Sequence, residues 1–135
     1  MPQAIYVNLP VSNLPKAMDF FQALGFSFNP QFTNDEAAGL VMSDTIFAML
    51  HTPQSFRRFT SKQIVDSQQM TEVLIALQLD SKEEVHALME KALVAGAREY
   101  RDPEDHGFMY GRSFEDLDGH IWELFWLDTE QMPSA

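Results

Sequence analysis

Residues 116–128 read DLDGHIWELFWLD. The Asp118-Gly119 pair is a hairpin turn signal, and the run after it is apolar enough for a buried strand. One carboxylate interrupts that run: Glu123 stands among Ile121, Trp122, Leu124, Phe125 and Trp126. Burying a lone charge is costly, so the strand implies a partner for Glu123, either a cationic side chain, a metal or a bound molecule.

The segment before the turn, HGFMYGRSFE (106–115), has strand character and offers such a partner. A two-residue turn places Phe114 opposite Glu123, and a four-residue turn places Arg112 there. Both registers put Phe108, Tyr110, Arg112 and Phe114 on one face with Ile121, Glu123 and Phe125, because side chains two apart share a face. An Arg112–Glu123 pair with a hydrogen bond from Tyr110 is therefore the architectural expectation for the carboxylate.

Upstream, EVLIALQLD (72–80) reads as a strand and SKEEVHALMEKALVAG (81–96) as a helix. That helix opens on a Ser81-x-x-Glu84 capping box, carries Val85, Leu88, Met89, Ala92 and Leu93 on one face, and closes at Gly96. AREYRD, HGFMYGRSFE and HIWELFWL supply three further strands. The first half repeats the order. AIYVNLPV (4–11) is a strand, and a helix capped by Ser12 or Asn13 shows Leu14, Ala17, Met18, Phe21 and Leu24 before Gly25 ends it. FSFNPQF (26–32), AAGLVMS (37–43) and TIFAMLH (45–51) are its three strands.

The closing glycines at 25 and 96 lie 71 residues apart. The pattern predicts an α+β fold of two tandem βαβββ modules, each a curved mixed sheet, with the concave faces forming a cleft. The expected organisation is a single domain of 1–135: module one 1–51, a polar linker or mobile loop 52–71, module two 72–128 and a tail 129–135. Within the linker, Arg57, Arg58 and Lys62 concentrate three of the nine basic residues, and Phe56 and Phe59 require burial either on the domain or against a second subunit.

The formal net charge of −11 repels phosphate backbones and anionic membrane surfaces, which argues against nucleic-acid and membrane partners and favours neutral or cationic ligands. There is no cysteine, so disulfides, thiolate catalysis and Cys-type zinc sites are excluded together. No secretory signal and no apolar run long enough to span a bilayer is visible, and a cytoplasmic location is the expectation.

VNLPVSNLPKAMDFFQALGF near the start and FEDLDGHIWELFW near the end resemble the vicinal oxygen chelate superfamily, which includes glyoxalase I, extradiol dioxygenases, and fosfomycin and bleomycin resistance proteins. The bacterial branch labelled predicted lactoylglutathione lyase is the nearest in appearance. The resemblance covers essentially the whole chain and implies a homodimer. It also implies a divalent metal held by side chains from the first and last strands of each module. Those positions fall on Tyr6, Met49, Leu74 and Glu123, of which only Glu123 is the expected oxygen ligand. One carboxylate is too few for magnesium, manganese or zinc, and a thioether is a poor donor to hard cations. No cofactor is therefore expected.

A displaced metal site is the alternative. By strand parity His51 faces the same way as Met49 and Glu72 the same way as Leu74, so His51, Glu72 and Glu123 form a second candidate set. Without metal, the same surface reads as a binding site for a small molecule, with Tyr6, Asn8, Phe47, Met49, His51, Leu74, Tyr110 and Arg112 as lining and Glu123 as anchor or general base. Two functions lead on these grounds, with a metal-free enzyme using Glu123 as base as a third class that has no substrate signature. One is metal-free binding of a small molecule; the other is metal-dependent lyase, isomerase or dioxygenase chemistry of the glyoxalase type.

Overall fold

Each half of the chain lays down a strand, a helix and three strands, as the repeat predicts. The computed structural model describes residues 1–131. The chain divides into two units with the boundary after Val65. No helix among the described residues is long and apolar enough to cross a membrane.

The first unit contains β1 (Ile5–Pro10), α1 (Leu14–Ala23), β2 (Ser27–Asn29), β3 (Ala37–Val41), β4 (Ile46–His51) and the short α2 (Pro53–Phe56). Its sheet has the order β1-β4-β3-β2, with β1 parallel to β4 and the other pairs antiparallel. Of the two possible caps, Asn13 is the one used: its side chain accepts from the Lys16 N–H at 3.0 Å. Gly25, at φ 101°, ends the helix in a backbone region that other residues reach at a cost. Leu14, Ala17, Phe20, Phe21 and Leu24 are buried, as are Ala38, Leu40, Ala48 and Leu50 on β3 and β4. Burying a side chain such as Phe21 contributes about 1.5–3 kcal/mol, which fixes which sheet face is core. Alternation then leaves Tyr6, Asn8, Phe47, Met49 and His51 on the opposite face.

The run 26–32 is not one strand. Pairing stops at Asn29, whose side chain accepts from Gln31 N–H at 2.9 Å and caps a 3₁₀ turn at Pro30–Phe32. Proline cannot donate to a ladder, and here it starts the turn instead. Gly39 makes room for that turn: a Cβ there would lie 2.9 Å from Phe32 Cβ.

The second unit contains β5 (Leu74–Gln78), α3 (Lys82–Val94), β6 (Arg98–Asp105), β7 (Met109–Glu115) and β8 (Ile121–Leu127), with sheet order β5-β8-β7-β6. Ser81 caps α3 by accepting from Glu84 N–H at 3.1 Å. Val85, Met89 and Ala92 pack it onto a core containing Phe114, Trp122 and Leu124.

The segment 52–71 is divided between the units and is structured by both. On the first, α2 places Ser55 beneath His51, and Arg58 forms a two-pronged pair with Glu36 at 2.6 and 2.9 Å. That pair holds the Glu36 carboxyl below its usual range. On the second, the Ser67 hydroxyl donates to Asp118 O at 2.6 Å and the Gln68 side chain donates to Leu117 O at 3.0 Å. Gly119, at φ 85°, lets the turn approach: a Cβ there would meet Ser67 O at 2.5 Å.

The turn between β7 and β8 decides the register. Five residues, Asp116–His120, separate the last pair, Glu115 and Ile121. Asp116 organises them, accepting from Asp118 N–H at 2.9 Å, His120 N–H at 3.0 Å and the Trp122 indole N–H at 3.0 Å. An odd loop shifts the pairing by one residue relative to either expected turn. Ser113, not Phe114 or Arg112, stands opposite Glu123. A one-residue slip exchanges the faces of a strand, so the expected grouping of Tyr110 and Arg112 with Glu123 is corrected.

Candidate functional site

Two rows of side chains define the non-core faces. In the first unit the row runs Asn8, Met49, Gly39 and Asn29; in the second it runs Ala76, Glu123, Ser113 and Arg101. Met49 and Glu123 thus occupy matching places.

The first face is neutral. Tyr6 and Phe47 stack with ring centres 4.6 Å apart. His51 is only 3% exposed, and each ring nitrogen has a partner: Nε2 lies 2.8 Å from Asn8 Oδ1 and Nδ1 lies 2.9 Å from Ser55 Oγ. An amide oxygen can only accept, so Nε2 carries the proton and Nδ1 accepts from the Ser55 hydroxyl. Burial pushes the His51 pKa down and favours this neutral form. The rings of Phe56 and Phe59 lie 5.9 and 5.3 Å from the imidazole, yet Phe59 stays exposed, so this unit does not supply the burial expected for it. Five of the expected lining residues, Tyr6, Asn8, Phe47, Met49 and His51, therefore share one face.

The second face is charged. Arg101 donates through one terminal nitrogen to Glu123 Oε2 at 2.6 Å and through the other to Glu104 Oε1 at 2.8 Å. Register irregularities lie on both sides of Arg101 within β6, between Glu99 and Arg101 and between Arg101 and Glu104. Such irregularities re-aim side chains, and here the small Ser113 lets the arginine reach across to β8. A pocket of about 320 Å³ opens beside this pair, bordered by Arg101, Glu104, Met109, Gly111, Ser113, Glu123 and Phe125 among others. Ser113 is 1% exposed and its hydroxyl has no hydrogen-bond partner.

Tyr110 and Arg112 lie on the other side of the sheet, toward α3. Arg112 binds Glu99 with two hydrogen bonds of 3.0 Å and approaches His86 Nδ1 at 3.2 Å. The bonds to Glu99 raise its pKa above the ordinary arginine value. Tyr110 packs against the His86 ring and below the Lys82 ammonium. Across the β7–β8 ladder Arg112 stands opposite Leu124 and Tyr110 opposite Trp126, so neither is paired with Glu123. Leu74, at the start of β5, is exposed, and Glu72 precedes that strand, also exposed.

The members of the displaced set each have other settings: His51 with Asn8 and Ser55, Glu72 in solvent, and Glu123 with Arg101. Among the described residues no group of three or more His, Asp or Glu side chains is placed to hold a metal ion. Sequence reasoning missed Arg101, Ser113 and Ser55. Strand alternation alone carried no signal for Arg101, because irregular pairing chose its direction.

The model of the Glyoxalase/Bleomycin resistance protein/Dioxygenase superfamily matches residues 3–124. The chain belongs to this superfamily. Among solved structures, a hypothetical protein from S. aureus is 30% identical, with a TM-score of 0.77 over 93% of this chain and 95% of that one. A glyoxalase/bleomycin resistance protein/dioxygenase family enzyme from Burkholderia phytofirmans is 18% identical, with a TM-score of 0.73 over 90% of this chain and 96% of that one. A bleomycin resistance determinant encoded on the transposon Tn5 is 17% identical, with a TM-score of 0.66 over 94% of this chain and 99% of that one. The latter two likenesses concern the fold of the superfamily alone. No curated protein matches the chain.

Proposed function

We propose that this superfamily member is a metal-independent binder of a small organic molecule, acting in the cytoplasm as a homodimer and seating its ligand on the charged sheet face of the second unit. The observation that carries this reading is the Arg101 guanidinium 2.6 Å from Glu123. It supplies the positive charge that a metal supplies in the superfamily's chelating members. The other positions that the resemblance assigns to metal bear a phenol, a thioether and an alkyl group at Tyr6, Met49 and Leu74. A divalent cation needs several oxygen or nitrogen donors, and this set does not fit one. The pocket beside Glu123 has the make-up of a ligand site instead: apolar walls from Met109 and Phe125 with a few polar groups.

The test is metal analysis of protein purified without a histidine tag, joined to a thermal-shift screen in the presence of EDTA. The expected result is far less than one divalent ion per chain and a ligand whose stabilisation survives chelation. A ligand at 100 times its dissociation constant adds about 2.7 kcal/mol. One divalent ion per chain, lost in Glu123→Gln, overturns the reading in favour of metal-dependent lyase or dioxygenase chemistry.

A further inference from the structure

We propose that Arg101 is an internal stand-in for the ligand, and that the molecule bound beside Glu123 is an organic cation of the amidinium, guanidinium or amine class that displaces it. This rests on the metal-independent reading above.

Glu123, Glu104 and Asp102 border the pocket, with the guanidinium of Arg101 placed between the two glutamates; Arg112 also borders it, but its guanidinium is bound to Glu99. A molecule entering with a negative charge meets an excess of carboxylates, whereas a cation meets partners. The net charge of −11 attracts such a molecule from a distance.

The arginine is also held loosely enough to leave. Its side chain is 49% exposed, and it reaches Glu123 from an edge strand whose pairing is irregular on either side of it. Exposed ion pairs contribute little, so exchanging one cation for another at Glu123 costs little.

A second, independent observation points to an occupant. The Ser113 hydroxyl is almost fully buried at the edge of this pocket, opposite Glu123, and has no partner. Buried hydroxyls are ordinarily satisfied. A planar cation with two N–H edges satisfies both groups at once, giving one N–H to Glu123 and another to Ser113 Oγ. Its apolar body then lies against Met109 and Phe125, over Gly111, where no side chain intrudes.

The probe is benzamidine, with its neutral isostere benzamide as control, titrated in two-dimensional NMR with the Gly111, Ser113 and Glu123 amides as reporters. In the wild type, benzamidine moves these amides and benzamide does not. Arg101→Met removes the competitor and tightens benzamidine by about fivefold, the scale set by the small free energy of an exposed ion pair. Glu123→Gln abolishes the response. Ser113→Ala, which leaves the fold intact as judged by circular dichroism, weakens it.

The idea falls if Arg101→Met leaves benzamidine affinity unchanged or lower, if neither wild type nor Arg101→Met responds to benzamidine, or if benzamide gains equally. Should neutral compounds stabilise the metal-free protein while benzamidine ignores Arg101, the stand-in role fails and metal-independent binding survives. A stoichiometric divalent ion on Glu123 removes both.

Discussion

The two sheet faces are built on one topology and differ in what fills the middle row. At the place of Met49 and Gly39 in the first unit, the second carries Glu123 and Ser113. The first unit's β2 lasts three residues before the 3₁₀ turn brings Phe32 over Gly39. The second unit's β6 runs eight residues without turning in, and the pocket beside Ser113 stays open. One repeat is closed by chain and hydrogen bonds while its twin keeps charge and space. Length of the outer strand, more than the topology, separates the two outcomes.

The largest expected effect comes from crowding the closed face. Gly39→Ala forces a Cβ to within 2.9 Å of Phe32 Cβ, a contact that only backbone movement relieves. Chemical denaturation should show a loss of about 2 kcal/mol, in the range of overpacked cores. An unchanged midpoint would mean that the 3₁₀ turn does not press on the first sheet.

A smaller effect concerns the neutral histidine. Because burial lowers the His51 pKa in the folded state, the unfolded chain binds a proton that the native one refuses. The contribution of neutral His51 is complete above the ordinary value of 6.5 and is lost as pH falls through the depressed folded pKa. Stability should therefore decline with acidification below pH 6.5. His51→Gln should cost about 1–2 kcal/mol at neutral pH and flatten that part of the slope. A slope identical in the variant would remove His51 as its source.

The smallest effect tests the open face. Ser113→Ala deletes a desolvated hydroxyl without a partner, so the ligand-free protein should gain up to about 1 kcal/mol. A loss of similar size would reveal a hydrogen bond that Ser113 makes in solution, and would bring the second face closer to the satisfied first one.

Much of the fold was legible because it depends on local periodicity. The α3 capping box, the spacing of Val85, Met89 and Ala92, and Gly25 and Gly96 each state their structure within a few residues. The Pro30 turn was also available in sequence, yet FSFNPQF reads as one strand when alternation is weighed above the proline. The site was less legible. Tyr6, Asn8, Phe47, Met49 and His51 share a face because β1 and β4 are regular and parity holds along them. Parity failed for Tyr110 and Arg112 because a loop of odd length, organised by Asp116, slipped the register by one.

The twofold βαβββ order, the helix ends, the core stripes and the need to neutralise Glu123 all follow from local patterns along the chain. Which arginine does so is set by packing across the sheet. Arg112 is the nearer cation in sequence but faces α3, while Arg101 arrives from the irregular edge of β6. The reason is physical: helix and strand patterns are set by neighbours along the chain, whereas a side chain's partner across a sheet depends on loop length and strand irregularity, where a single residue reverses its direction.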